Sequence, residues 1–250
     1  MHILIEHTRL DHFLSQIDAR VKLLSTLALL AMVLSCRGFV FPVIVTLSCL
    51  FLCLRMGIVL RVLLLRYSEP LFIATVIILV KLFFSGQEPL FSAHFMGVAI
   101  IGHKDGLLDG LHIGSRIISA VSLIALLGFS TPFAEFTASL SWFRVPKGFI
   151  EILMFAYRYI FVLFEDALVI YQAQKNRLGY STAGRGLSSF GTLAGSLTIR
   201  AFDHSQSTTI AMVQRGYDGA MPMLMHKSFK SSEIFFSALL LLVMGVLWKI

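Results

Sequence analysis

Long apolar segments recur along the chain and are separated by short polar stretches. Five of them approach the roughly 20 residues that a helix needs to cross a bilayer, and flanking residues can extend the shorter ones. These segments run from Leu23 to Ser35, Phe39 to Leu54, Pro70 to Phe84, Leu107 to Phe129 and Ile234 to Trp248. The pattern predicts an all-α, polytopic membrane bundle of about five spans.

A sixth apolar run, from Phe149 to Phe164, is associated with ionisable groups. Arg158 lies inside it, and Glu151, Glu165 and Asp166 lie near its ends. Charged side chains are costly at the centre of a bilayer unless they are paired or hydrated. We therefore interpret the run as part of a helix that lies at or below the membrane surface, and a sixth span is the alternative.

The polar segment between the fourth and fifth spans is predicted to contain two long helices. It holds ten basic and seven acidic residues and shows helical periodicity in two places. The first predicted helix covers 149–176, starts after Pro146 and ends near Gly179. Such a helix can lie under a membrane bundle and present its end to a soluble partner.

The second predicted helix of this segment covers 201–214. Asp203 falls in its first turn, where an acidic side chain interacts favourably with the helix dipole, and Arg215 and Gly216 mark its end. Gly and Ser residues cluster at 179–195, between the two predicted helices.

The composition and the charge pattern favour membrane insertion with one orientation. Hydrophobic residues make up 57% of the chain, charged residues 14%, and the mean hydropathy is +0.83. Basic residues cluster before the first span, after the second, and between the fourth and fifth. The positive-inside rule then places the amino terminus in the cytoplasm and the carboxyl terminus outside, and no cleaved signal peptide is expected. The expected domains are a membrane bundle at 1–129, cytoplasmic coupling helices at 130–233 and a final span at 234–250.

Patterns typical of catalysis or metal binding are weak in this chain. The run from Gly179 to Gly186 resembles a phosphate-binding loop, but it has Arg in place of Lys, and no strand is predicted before it. His2, His7 and His12 are five residues apart, so they do not share one helix face, and solvated histidines are the commoner explanation. We therefore expect a chain that is not an enzyme and has no cofactor, no bound metal and no nucleic-acid partner.

One basic residue is predicted to lie deeper in the membrane bundle than the others. Arg116 sits about two helical turns into the fourth span. Its side chain either extends toward the outer interface or makes a buried contact that orders the bundle. The sequence leaves both interpretations open.

Two short segments of the polar region resemble each other, AQKNRLGY at 173–180 and AMVQRGY at 211–217. In each, an Ala lies four residues before an Arg, and Gly and Tyr follow shortly. Residues at i and i+4 share a helix face, Arg supplies a forked cationic donor, and Gly just beyond it favours the end of a helix. The residues concerned are Ala173, Arg177, Gly179, Ala211, Arg215 and Gly216. The repetition predicts two copies of one docking device, suited to a partner with two equivalent surfaces.

Several short motifs together resemble a known transporter family. They are Leu10 to Lys22, Asp105 to Arg116, Ser130 to Pro132, Val145-Pro146, Tyr157-Arg158-Tyr159, Glu165 and the two Ala-x-x-x-Arg segments. From about Leu10 to Gly219 the chain resembles the transmembrane coupling subunit, or T component, of energy-coupling factor transporters. The first motif is similar to the cobalt and nickel uptake branch, the cobalt transport Q subunit family.

The resemblance implies partners and roles for particular residues. Two ATP-binding cassette ATPase subunits would receive the helix ends at Arg177 and Arg215. A metal-capturing integral membrane subunit and a small accessory membrane subunit would join them in the bilayer. The first copy has Leu178 where the family pattern has Gly, which predicts a looser first contact. Structural or coupling roles fall to Arg116, Pro146, Arg158 and Glu165.

The function implied by the resemblance is ATP-driven import of cobalt or nickel. ATP would be hydrolysed by the partner chains, and this chain would transmit their motion to the metal-capturing subunit. A vitamin-type energy-coupling factor transporter, a secondary transporter and a membrane scaffold are the alternatives.

Overall fold

The computed structural model describes residues 17–36, 38–85, 89–95, 98–219 and 231–248, and eight α-helices and one β-hairpin lie within these ranges. The helices are α1 (Ala19–Ser35), α2 (Val40–Arg55), α3 (Leu60–Phe84), α4 (Lys104–Ser130), α5 (Phe133–Trp142), α6 (Lys147–Asn176), α7 (Ala183–Gln214) and α8 (Ser231–Trp248). Strands β1 (Pro89–Phe95) and β2 (Val98–His103) pair antiparallel and connect α3 to α4.

The chain forms two compact units. The first comprises residues 1–136 and 226–250 and holds α1 to α4, the hairpin and α8. The second comprises residues 137–225 and holds α6 and α7, while the boundary falls within α5.

Each of the five predicted spans coincides with a helix of the first unit, from α1 to α4 and α8. Among the described residues, α3 and α4 are long and apolar enough to cross a membrane, whereas α2 and Ser237–Trp248 of α8 are apolar but shorter. The prediction of an all-α membrane protein is confirmed as a fold class, and among the described residues the β-hairpin is the exception to it. The number of spans stays a prediction.

Two local features of the first unit were not predicted from the sequence. Helix α3 starts at Leu60, before the predicted span at Pro70, and Pro70 lies buried inside the helix. Proline is tolerated within membrane helices because neighbouring groups can satisfy the backbone carbonyl that it leaves unbonded. The β-hairpin lies between the third and fourth predicted spans, where no strand was predicted, and three β-branched residues in β2 favour an extended backbone there.

Helices α1, α2 and α4 meet in an apolar core. Val33 of α1, Phe41 and Val45 of α2 and Leu123 of α4 are buried in it. Lipid tails are as apolar as these side chains, so close packing contributes more to helix association in a bilayer than removal of apolar area does.

Glycines bring α4 close to α3. Gly106, Gly110 and Gly114 are spaced four residues apart on one face of α4, and all three are buried. A Cβ atom added at Gly110 would lie 2.9 Å from the Cα of Ile78, and one at Gly114 would lie 3.4 Å from the Cβ of Ala74. The two helix backbones therefore approach more closely than larger residues on this face would allow.

Two polar contacts hold α1 antiparallel to α4. The Lys22 ammonium at the start of α1 donates to the Ser130 carbonyl at the end of α4, over 2.9 Å, and both residues are buried. The Arg116 guanidinium of α4 donates to the carbonyl of Cys36, which caps the end of α1. In both contacts a cation satisfies a carbonyl at a helix carboxyl terminus, where the helix dipole is negative. Arg116 thus makes a contact within the unit, and its part in coupling stays a prediction.

Candidate functional site

The first coupling helix forms as the sequence predicts. Pro146 immediately precedes α6 at its N-cap position, where its missing N–H and its φ of −53° are compatible with a helix start. The helix continues without interruption to Asn176. The predicted helix at 149–176 is therefore confirmed, with Pro146 at its beginning.

The second coupling helix begins earlier than predicted, and this part of the prediction is wrong. Helix α7 starts at Ala183 instead of Ala201, so Asp203 lies far from its first turn. The Gly and Ser cluster is helical because Thr182 caps the helix, its side chain accepting from the Arg185 N–H. Tertiary contacts with α6 also override the weak helix propensity of glycine here. The predicted end of α7, at Arg215 and Gly216, is confirmed.

Polar contacts join α6 and α7 along their whole length. The end of α6 contacts the start of α7, since the Gln174 side-chain amide donates to the Ser189 carbonyl over 2.9 Å. Farther along, Asp166 accepts from Arg200 at 2.7 Å and lies 3.2 Å from the Nε2 atom of His204. Tyr159 also forms a hydrogen bond with Thr208, and Tyr217, just beyond α7, forms one with Glu151. Helices α6 and α7 therefore form an antiparallel helical hairpin, which we call the coupling hairpin.

The geometry of the coupling hairpin places Arg177 and Arg215 near opposite ends of α7. Arg177 lies just after α6 and six residues before Ala183, whereas Arg215 follows the last residue of α7. Helix α7 has 32 residues, which correspond to a length of up to about 48 Å at 1.5 Å per residue. The two predicted docking residues are thus held apart by a helix of defined length.

The first helix end is a Schellman motif centred on Leu178. The Leu178 N–H donates to the Lys175 carbonyl at 3.0 Å, and the Gly179 N–H donates to the Gln174 carbonyl at 2.9 Å. Leu178 has a φ of +57°, a conformation in which a residue with a Cβ costs roughly 1–2 kcal/mol. Arg177 is the C-cap residue, and its N–H reaches the Ala173 carbonyl at 3.3 Å.

The second helix end has the same hydrogen-bond pattern. The Gly216 N–H donates to the Val213 carbonyl and the Tyr217 N–H donates to the Met212 carbonyl, each at 3.0 Å. Gly216 has a φ of +80°, which suits glycine. Arg215 is the C-cap residue, and its N–H lies 3.2 Å from the Ala211 carbonyl. The backbone matches Leu178 with Gly216 and Gly179 with Tyr217.

Gly179 does not adopt the left-handed backbone conformation of Leu178. A glycine is required at this position because neighbouring atoms leave no room for a Cβ atom. A Cβ atom added at Gly179 would lie 2.7 Å from the Ser189 hydroxyl and 2.9 Å from the Gln174 carbonyl. Ser189 also donates to the Gly179 carbonyl over 2.9 Å. The first helix end is thus fixed against the start of α7.

Both arginines are exposed. Of the two alanines that share their helix faces, Ala173 is exposed and Ala211 is half-buried. A guanidinium at a helix carboxyl terminus interacts favourably with the negative end of the dipole and keeps its planar fork free for a carboxylate or carbonyl of a partner. Each end can therefore present a cation with several hydrogen-bond donors.

A tyrosine beside the second end links it to the start of α6. The Tyr217 hydroxyl donates to the buried Glu151 carboxylate over 3.3 Å. Desolvation raises the pKa of Tyr217 above 10.0, and the negative charges of Glu151 and Asp218 raise this pKa further. Tyr217 therefore remains neutral and able to donate at physiological pH.

Other predicted site residues lie away from the two helix ends. Arg158 and Glu165 are exposed on α6, between the two ends of the coupling hairpin. The contacts of Asp166 with α7 were not predicted, although the spacing of Arg200 and His204 at i and i+4 is a signal for one shared helix face. Among the described residues, no group of three or more His, Cys, Asp or Glu side chains is arranged to hold a metal ion. His2, His7 and His12 lie outside the described residues.

Comparisons with known proteins agree over most of the chain. The family model for the cobalt transport protein CbiQ matches residues 11–226. An uncharacterized protein of Methanocaldococcus jannaschii is 27% identical over 224 residues, which are 89% of this chain and 84% of that protein.

Two further relatives carry functional names. The energy-coupling factor transporter transmembrane protein EcfT of Staphylococcus aureus is 25% identical over 232 residues, which cover 88% of this chain and 85% of that protein. A putative fused cobalt transport protein CbiMQ of Methanocorpusculum labreanum is 30% identical over 185 residues. That match covers 62% of this chain and 31% of the fused protein.

Proposed function

The chain belongs to the cobalt transport protein family CbiQ, the transmembrane component of energy-coupling factor transporters, and we propose that its coupling hairpin docks onto two ATPase subunits. One subunit would bind the helix end at Arg177 and the other the helix end at Arg215. In this proposal the chain hydrolyses no ATP itself and transmits the motion of its partners.

The observation that supports this proposal is the identical hydrogen-bond pattern of the two helix ends. Each end places an exposed Arg at the C-cap position, after an Ala four residues earlier and before a residue with positive φ. A single exposed Arg at such a position is an ordinary helix cap. Two of them, with the same backbone geometry and at opposite ends of a helix of up to about 48 Å, suit a partner that offers two equivalent grooves.

The coupling hairpin suits the transmission of force because its helices are joined along their length. Contacts of Asp166 and Gln174 with α7, and of Glu151 with Tyr217 just beyond α7, resist separation of the two helices. When ATP draws the two ATPase subunits together, the docked ends would move with them, and the hairpin would tilt or bend as one element. This motion would reach the membrane unit through the chain connections at 137 and 225.

The transported substrate would be cobalt, which the family name and the name of the fused relative carry, or nickel, which the resemblance of the first motif to the cobalt and nickel uptake branch implies. A separate metal-capturing membrane subunit, with a small accessory membrane subunit, would bind the ion and release it when the coupling hairpin moves. The chain would lie in a bacterial or archaeal cytoplasmic membrane as a multi-pass protein, with its amino terminus and coupling hairpin in the cytoplasm.

Replacement of the two arginines tests this function. Arg177→Ala and Arg215→Ala should each reduce ATPase binding and metal uptake, since truncating one partner of a desolvated charged contact costs about 2–5 kcal/mol. This cost corresponds to a loss of affinity of about 30-fold to several thousandfold. The double variant should release the ATPase subunits or leave them hydrolysing ATP without uptake. Arg→Lys should restore only part of the activity, because lysine lacks the planar fork.

The measurement is co-purification of the ATPase subunits in mild detergent, together with ATP-dependent cobalt uptake into vesicles. Arg61→Ala, which removes an exposed positive charge from α3, is the control and should leave both values unchanged. A double Ala variant that retains its ATPase subunits and transports normally would show that both arginines are solvated caps.

A further inference from the structure

The two docking ends share a backbone geometry but differ in the side chain at one position. Leu178 and Gly216 both have a positive φ and both follow the capping Arg directly. At Gly216 there is no side chain, and a Cβ atom there would meet nothing within 4 Å. At Leu178 a large apolar side chain projects from the helix end and is 68% exposed.

The conformation of Leu178 is unfavourable for the isolated chain. Glycine is the usual residue at this position of a Schellman motif, because a Cβ atom clashes with the neighbouring carbonyl when φ is positive. Packing does not offset this strain here, since most of the leucine surface is in contact with solvent. Backbone strain of this kind clusters at functional sites such as ligand clamps and switch regions.

We propose that Leu178 is an apolar contact residue that enters the groove of the ATPase subunit bound by Arg177. The inference rests on the proposed function, because the groove is the one that receives the adjacent guanidinium. The same ATPase subunit is expected to contact both residues, because Leu178 follows Arg177 directly in the chain and both side chains are exposed at the same helix end. A partner surface that binds Arg177 therefore also covers Leu178.

Two properties of the complex follow from this contact. The first helix end binds more tightly than the second, because a buried leucine side chain strengthens association by about ten- to a hundredfold. This reverses the expectation, drawn from the sequence, that the first contact is the looser one. The groove at the first end must also offer an apolar wall beside its polar groups, which the groove at the second end does not need.

Substitution of Leu178 by Gly distinguishes an effect on docking from an effect on folding, because it should increase thermal stability and decrease the affinity for the ATPase subunit. Leu178→Gly relieves the strain at φ +57°, so the purified protein should melt at a higher temperature than the wild type. The same variant should bind its purified ATPase subunits about tenfold more weakly. Leu178→Asn is a second variant, because asparagine tolerates a positive φ but is polar, and it should also bind more weakly. Leu187→Asn removes an exposed leucine from α7 and is the control that should bind normally.

Full-length protein in nanodiscs, titrated with the ATPase subunits alongside Arg177→Ala, gives outcomes that distinguish the two proposals. Weaker binding of Leu178→Gly with unchanged or increased thermal stability supports the apolar contact. Normal binding of Leu178→Gly together with weak binding of Arg177→Ala overturns the role of Leu178 and leaves the proposed function intact. Normal binding of both variants overturns both proposals. Weaker binding that accompanies a lower melting temperature also overturns the apolar contact, since Leu178 would then stabilise the hairpin itself.

Discussion

Single residues at the ends of α6 and α7 determine where each helix ends and which side chain is exposed there. Arg177 and Arg215 occupy the C-cap position, and the next residue turns the backbone into the left-handed region. The sequence repeat identifies both arginines. Alignment on the arginines also pairs Leu178 with Gly216, but the sequence does not show that Leu178 adopts the positive φ of that glycine, which the backbone hydrogen bonds and dihedral angles do.

The contact between Tyr217 and Glu151 leads to a prediction about pH. Tyr217→Phe removes a donor to a buried carboxylate and should lower the melting temperature of the protein at pH 7. Because the folded state raises the pKa of Tyr217, this stabilisation is fully present below the unfolded value of 10.0. It is lost as the pH rises through the higher folded value.

Thermal melting of wild type and Tyr217→Phe in detergent, from pH 7 to above pH 10, measures this effect. The gap between the two melting temperatures should be constant up to about pH 10 and should narrow above it. Tyr171→Phe, a change at an exposed tyrosine of α6, is the control. A gap that is absent at pH 7 would mean that the hydrogen bond adds nothing to stability.

The helices show which structural features the sequence can predict. Apolar periodicity locates α1 to α4, α6 and α8, because a lipid-facing or half-buried helix requires a long apolar stretch. The sequence does not predict the first half of α7, since its Gly and Ser residues have weak helix propensity and the contact of Gln174 with Ser189 that stabilises it forms only in the folded coupling hairpin. The β-hairpin between α3 and α4 likewise depends on the pairing of β1 with β2, which the sequence of either strand alone does not predict.

The close approach of α3 and α4 predicts the effect of a small substitution. Gly110→Ala places a Cβ atom 2.9 Å from the Cα of Ile78, so the helices must move apart, and we expect a loss of about 1–3 kcal/mol in stability. Gly128→Ala, in the same helix, has nothing within 4 Å of the added Cβ atom and should be neutral or slightly stabilising.

The free energy of unfolding of the two alanine variants is measured in detergent and compared. Because both replace a helical glycine by the same residue, the difference between them isolates the contact with α3. Equal stability of the two variants would show that the α3–α4 contact is looser than the structure indicates.

On the scale of the whole molecule, two units serve different tasks in the proposed mechanism. The first unit contains the apolar helices expected in the bilayer, with its glycine face and its pairing of α1 with α4. The second unit is the coupling hairpin, whose polar contacts keep α6 and α7 together and place Arg177 and Arg215 apart. In this mechanism, the separation of the two ends would let one chain engage two ATPase subunits.

The most direct test of this account is cross-linking of both helix ends in one assembled transporter. Cysteines would replace Ala173 and Ala211, singly and together, in a chain whose Cys36, Cys49 and Cys53 have been changed to Ser. A cysteine-to-lysine cross-linker applied to the complex should join each single variant to one ATPase subunit. The account predicts that the double variant forms a covalent product with two ATPase subunits per chain. If the double variant is cross-linked to no more than one ATPase subunit per chain, or if neither position gives a cross-linked product, docking through the two helix ends is contradicted.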